Sequence, residues 1–261
     1  MKIYDCFMYN NEDLTLDIRL NILNKYVEKF IIVESRFNHQ GNKKNLNFNK
    51  KKFKQFYNKI EYLVIENFPD HYSNWQRENY QRNYISEGLK LLDDNDYIII
   101  SDVDEIPNLK NIKNLGDHKY TVFKQKNLSF KLNLINKSLP VWFGSRLCKK
   151  KYLKSPQWFR NQKIKKFSIF NFLRIKWNVV EEGGWHFSYL MNPQGIQEKL
   201  KSFAHSEFNN SFYTDIKRIK NTIDNKKDLF ERGQEYEKIF IDQSFPDYIV
   251  ENKSKFSDWI I

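Results

Sequence analysis

Apolar and polar positions alternate in blocks along the first hundred residues. Residues 2–9 read as a strand, and Asp13 then opens a helical run that places Leu16, Leu20, Leu23 and Val27 near one face. Residues 30–33 form a short apolar strand. A short helix over 53–57 precedes a third strand at 62–65. A polar loop through Pro69 and Asn74 leads to a helix over 75–92, with Tyr80, Tyr84 and Leu91 at helical spacing. Residues 97–100, Tyr-Ile-Ile-Ile, are the fourth strand.

Strands that are apolar on both faces and separated by helices predict a parallel sheet covered on both sides. In such sheets ligands collect beyond the carboxyl ends of the strands. That rim carries Glu34, Ser35 and Arg36, then Glu66 and Asn67, then residues 101–105.

The second half is less regular. Strands are expected over 120–135 and 141–149, running antiparallel, and over 178–189. Helices are expected over 193–204, over 213–222 and in a stretch ending near Phe240. No repeat or linker divides the chain. The expectation is one α/β domain over 1–261: a mostly parallel sheet flanked by helices, with a smaller antiparallel portion.

Composition narrows the class. Of 261 residues 40% are apolar, with 22 Phe and 15 Tyr, enough for a sizeable core. Eight Gly and six Pro exclude a collagen-like or linker-rich chain. Cys6 and Cys148 stand far apart with no Cys-x-x-Cys partner, which excludes a disulfide framework and a thiolate zinc site and suggests a reducing compartment. No apolar run approaches the ~20 residues of a membrane-spanning helix. Residues 1–5 pass directly into a strand with no signal-peptide core, so a soluble, cytoplasmic protein is expected.

The formal charge of +12 favours anionic partners, among them nucleotide-activated substrates and an acidic membrane surface touched peripherally. Lysines cluster at 50–52, 149–151 and 163–166 but are otherwise dispersed. They form no stripe interleaved with aromatics, so no nucleic-acid partner is expected.

The strongest chemical signal follows the fourth strand: Ser101, Asp102, Val103, Asp104, Glu105, Ile106, Pro107. Three carboxylates within four residues repel one another unless positive charge sits among them. Asp102 and Asp104 are two apart, so on an extended strand end they point the same way. Hard oxygen ligands of this kind suit Mg²⁺ or Mn²⁺ shared with substrate phosphates. Two other readings stand beside this one. The acids can cap the turn after Pro107, or belong to a metal-dependent phosphohydrolase or nuclease.

Three segments in order carry a resemblance: residues 77–83 (Arg-Glu-Asn-Tyr-Gln-Arg-Asn), residues 100–107, and residues 184–189 (Gly-Trp-His-Phe-Ser-Tyr). Residues 33–35, 199–205 and 228–232 add to it. Together they resemble family seventeen of the glycosyltransferases, the β-1,4-mannosyl-glycoprotein 4-β-N-acetylglucosaminyltransferases. The resemblance implies a GT-A, Rossmann-like fold, with residues 1–107 as the nucleotide-sugar-binding half and 108–261 as the acceptor-side half. It also implies a UDP-N-acetylglucosamine donor, a glycan acceptor and inversion at the anomeric carbon. The animal members carry a membrane anchor and stem ahead of the catalytic domain, whereas this chain begins at the first strand.

Roles follow from that resemblance. Asp104 is the expected direct ligand to Mn²⁺ or Mg²⁺. Asp102 binds the metal through water or holds the ribose, Glu105 orients its neighbours, and His186 is an imidazole ligand. Glu182, with Glu181 second, is the expected base for the acceptor hydroxyl. Trp185 is expected to stack on an acceptor sugar. Glu34, Asn79, Arg82 and Arg232 are expected around the donor nucleotide and its diphosphate.

Overall fold

The computed structural model describes residues 1–112, 115–116, 118–164 and 175–261. Lys165 and Lys166 of the third lysine cluster lie outside the described residues. The strands are β1 (Ile3–Met8), β2 (Lys29–Ser35), β3 (Ile60–Ile65), β4 (Tyr97–Ile100), β5 (Glu105–Pro107), β6 (Tyr120–Ser129), β7 (Leu134–Asn136), β8 (Val141–Trp142), β9 (Arg146–Lys149), β10 (Trp177–Ser188) and β11 (Tyr236–Lys238). The helices are α1 (Asp13–Leu23), α2 (Asn74–Gly88), α3 (Pro156–Asn161), α4 (Pro193–Ser202), α5 (Ile216–Asp224) and α6 (Asp247–Glu251).

One sheet runs in the order β11-β7-β6-β9-β4-β1-β2-β3, with β10 joining β6 to β5. The predicted parallel part is β4-β1-β2-β3. Its strands alternate between two cores. Phe7, Phe30, Ile32, Tyr97 and Ile99 face α1 and α6, and Cys6, Ile31, Val33, Ile98 and Ile100 face α2 and α3. Each fully buried aliphatic or aromatic side chain here contributes about 1.5–3 kcal/mol. Antiparallel β9 lies between β4 and β6, so the sheet passes from the first half of the chain into the second without a break.

The helix starts are written in the sequence. Ser73 and Gln76 form a capping box at α2. Ser155 before Pro156 starts α3, and Asn192 before Pro193 starts α4.

Several expectations are corrected. The strand expected over 120–135 breaks at Phe130, whose φ of 64° turns the chain so that β7 folds back on β6. The strand over 141–149 divides into β8 and β9, with Gly144 between them. β6 is antiparallel to β8 and β9 as expected, while β10 runs parallel to β6 and antiparallel to β5. The helix over 75–92 ends at Gly88 and leaves Leu91 exposed. The stretch before Phe240 is β11, not a helix, because the free edge of β7 offers it a pairing partner.

Gly183 and Gly184 serve this sheet. At Gly184 φ is +131° and a Cβ would fall 2.1 Å from Ile106 O; at Gly183 it would fall 2.6 Å from Val180 O. The pair forms a bulge that lets β10 close on both neighbours. At both positions the close neighbours are main-chain atoms.

Candidate active site

β1 lies between β2 and β4, where the chain order of the sheet reverses, and the carboxyl ends of these strands open into a cavity of about 280 Å³. Asn10 closes one side, His39 another, and Arg82, Asp102, Asp104 and Lys199 form the charged floor. Ligand crevices of open α/β sheets form at such reversals.

The acidic turn is fastened from beneath by Arg19, a fully buried side chain of α1. One of its terminal nitrogens donates to the carbonyls of Asp102, Val103 and Glu105 at 3.0, 3.2 and 2.8 Å. The other terminal nitrogen donates to Ser101 Oγ, and Arg19 also forms a two-pronged ion pair with buried Asp5 at 2.6 and 2.8 Å. A guanidinium with five donors in a fixed fork suits this task.

Above the turn, Asp102 lies between two arginines: Arg82 Nη2 at 3.1 Å on one oxygen and Arg160 Nη2 at 2.9 Å on the other. Burial alone would raise its carboxyl. The Arg160 and Arg82 charges outweigh burial and hold it well below the usual carboxylate range. Glu105 is almost fully buried and orients the turn: it accepts from Asp102 N at 2.9 Å, from the Trp142 indole at 2.6 Å, and from both terminal nitrogens of Arg160. Gly144 makes room for it, since a Cβ there would fall 2.3 Å from the Glu105 carboxyl carbon.

Asp104 is different. Its main-chain carbonyl accepts from Phe187 N at 2.8 Å, which locks it to β10. Among the described residues its carboxylate accepts no hydrogen bond; Lys199 Nζ stands at 3.6 Å and His186 Nε2 at 3.8 Å. Burial raises its carboxyl above the ordinary value, and Lys199 and His186 offset this only in part. His186 is set by Asn127, whose amide nitrogen donates to Leu139 O at 2.8 Å and so turns its oxygen toward His186 Nδ1 at 3.0 Å. That contact places a proton on Nδ1, with Nε2 facing Asp104. The Trp142 ring stacks on the imidazole, with centroids 4.8 Å apart.

Among the described residues no three His, Cys, Asp or Glu side chains converge as a ready-made metal cage. The donor set at Asp104 and His186 nonetheless suits Mg²⁺ or Mn²⁺, which commonly take one or two protein ligands and complete their shell with phosphate and water. An unbonded carboxylate and a presented imidazole nitrogen are what such an ion requires. Asp102, with both oxygens ion-paired, would reach it only through water.

The other expected residues are dispersed. Glu34 is fully buried and accepts from Lys44 Nζ, Asn47 N, Phe48 N and Tyr62 OH at 2.6 to 3.1 Å, so it ties down the loop after β2 rather than facing a ligand. Asn79 does not line the cavity. Arg232 sits against Phe208 and Phe230, outside the lining. Glu181 pairs with Lys124 at 2.7 Å on the surface. Glu182, with φ of 47°, lines a different cavity of about 490 Å³ beside α6. Trp185 points the same way, nearly buried, with its indole donating to Ser244 O at 3.0 Å. Strand alternation explains the last point: His186 faces Asp104, so Trp185 faces away.

A family profile described as Glycosyltransferase family 17 matches residues 1–256. The chain belongs to glycosyltransferase family 17. It is 24% identical over 239 residues to the human β-1,4-mannosyl-glycoprotein 4-β-N-acetylglucosaminyltransferase, covering 79% of this chain and 44% of the human protein. The rat and mouse proteins of the same description are each 23% identical over the same shares. The chain thus spans less than half the length of these curated relatives. No finding supports the phosphohydrolase alternative for this family 17 chain. Among the described residues no helix is long and apolar enough to cross a membrane.

The contacts around the acidic turn bring in residues that spacing did not single out: Arg19, Arg160, Trp142 and Lys199. Arg19 left one signal, because it falls between Leu16 and Leu20 on the apolar face of α1, where a cation must find a buried partner. Arg160 and Trp142 left none, since each reaches Glu105 only through the fold.

Proposed function

We propose that this family 17 chain transfers a sugar, N-acetylglucosamine from its uridine diphosphate ester, to a glycan hydroxyl with inversion, on a GT-A arrangement of the sheet. The observation that carries this reading is Asp104: a buried carboxylate that accepts no hydrogen bond among the described residues, facing His186 Nε2 and Lys199 at the strand-order reversal. The relatives' description supplies the sugar and the class of acceptor.

Asp104 and His186 would hold Mn²⁺ or Mg²⁺, which when bound supplies positive charge to the departing diphosphate. The chain's own residues do the rest. Arg82 and Arg160 keep Asp102 ionised and immobile, and Arg19 fixes the main chain that carries both aspartates. Immobile charges need little reorganisation as charge develops on the leaving group.

The base must face this cavity, and Glu181 and Glu182 do not line it. Of the carboxylates that do, Asp102 is ion-paired through both oxygens, Asp104 is the proposed metal ligand, and Glu12 accepts from Asn10 N and Asn11 N at 3.0 Å on one oxygen and faces the Lys199 ammonium at 3.5 Å with the other. Glu78 keeps one oxygen without a hydrogen bond among the described residues, the other accepting from Arg82 at 3.0 Å. We assign Glu78 to take the acceptor proton. Trp75, 48% exposed at the cavity, offers an apolar face for a pyranose ring.

The test is nucleotide release and sugar transfer from a panel of nucleotide sugars with Mn²⁺ present. Turnover of a UDP-sugar supports the reading. Failure to bind or turn over any nucleotide sugar overturns it.

A further inference from the structure

The cavity floor carries three permanent cations, and they are not equivalent. Lys44 donates to Glu34 at 2.6 Å. Arg82 is held by Asp102 and Glu78 at 3.1 and 3.0 Å. Lys199 Nζ stands 3.5 Å from Glu12 and 3.6 Å from Asp104, too far on both sides for a well-formed hydrogen bond. It also lies 5.3 Å over the Tyr189 ring. Two carboxylates and an aromatic face hold the ammonium in place, while its three N–H donors lack a close acceptor among the described residues.

The helix accounts for this placement. Asn192 caps α4 through Gly195 N at 2.8 Å, and Ile196 and Leu200, both fully buried, anchor the face beside Lys199. The side chain is thereby directed into the cavity with 22% of its surface exposed. A cavity-facing ammonium whose three N–H donors have no close acceptor among the described residues can give them to a ligand without breaking a formed hydrogen bond. The acceptor that suits three N–H groups beside an acidic turn is one that brings several anionic oxygens.

We propose that Lys199 is a donor-binding residue that hydrogen-bonds the diphosphate of the nucleotide, moving from its waiting position between Glu12 and Asp104 when the nucleotide enters. This rests on the transferase reading and adds to it a cation supplied by the chain itself. Asp104 would thereby be released from Lys199 and left free to hold the metal ion when one is bound.

The experiment is titration calorimetry of UDP, with Mn²⁺ and separately with EDTA, on the wild-type chain, Lys199→Met and Lys199→Arg. Lys199→Met is expected to weaken UDP by roughly tenfold or more, the scale of one lost charge-assisted hydrogen bond, with Lys199→Arg intermediate. Equal affinity in Lys199→Met and wild type overturns the proposal and leaves the transferase reading standing. Absence of UDP binding to the wild type in both conditions overturns both.

Reductive methylation of the native chain followed by peptide mass spectrometry gives a second readout that needs no variant. Saturating UDP is expected to reduce labelling of Lys199 severalfold relative to Lys201. Equal labelling with and without UDP overturns the proposal.

Discussion

Arg19 and Glu105 are joined at 2.8 Å, guanidinium to main-chain carbonyl, across 86 positions of sequence. This contact makes α1 the foundation of the acidic turn. Asp104 owes its place to a side chain that touches no solvent and that we do not expect to touch substrate.

Replacing Arg19 should therefore weaken fold and site together. Arg19→Met leaves Asp5 as an unpaired buried charge and removes one donor from each of three carbonyls, of which Asp102 O and Glu105 O keep Glu105 N and Ser145 Oγ. We expect a loss of about 3–5 kcal/mol in urea denaturation. Asp5→Asn, which removes the charge but keeps the shape, should cost less. A variant with wild-type stability would show that the turn is held by something else.

The two aspartates should separate by phenotype. Asp104→Asn is expected to keep wild-type thermal stability and lose donor turnover by roughly 10²–10³-fold, the scale of one lost preorganised electrostatic partner. Asp102→Asn should lose turnover and also about 1–3 kcal/mol of stability, because Arg82 and Arg160 lose their shared acceptor. Thermal melts alongside donor hydrolysis assays distinguish the two. Matching behaviour in both assays would remove the asymmetry argued here.

Glu78→Gln and Glu182→Gln form a paired test of the base. Glu78→Gln should abolish transfer while UDP binding stays near wild type, and Glu182→Gln should transfer normally. The opposite pattern would return the proton-accepting role to the strand-bulge residue.

Metal dependence should pass through Asn127. Chelation with EDTA is expected to stop transfer, and Mn²⁺ to restore it. Asn127→Ala frees His186 to change its tautomer and orientation, so about 10–100-fold more Mn²⁺ should be needed for half-maximal activity. An unchanged Mn²⁺ requirement would argue against His186 as a ligand.

The parallel strands could be read from the chain because strands covered on both faces are continuous apolar runs, as at 30–33 and 97–100. α2 and α4 were equally legible, each starting at a capping residue. β5 was not, being three residues long, and α3 showed only its Ser155-Pro156 start, since six residues are too few to display a period. Within the site, Asp104 and His186 could be found because ordered motifs flag them. The facing of Glu181 and Glu182 could not be read, because the bulge between Val180 and Gly184 breaks the two-residue period of the strand. Lys199 was hidden by its company, since beside Lys201 it has the composition of a solvated helix face.

The unbroken ladder through β9 also limits how the molecule can admit its substrates. A clamshell motion between the two ends of the chain would have to shear the main-chain bonds of β9 to both β4 and β6. Any widening of the cavity would therefore have to come from segments outside that ladder, such as those carrying Trp75 and His205, two lining rings that meet edge to face at 4.6 Å. The strand frame behind them would keep its register.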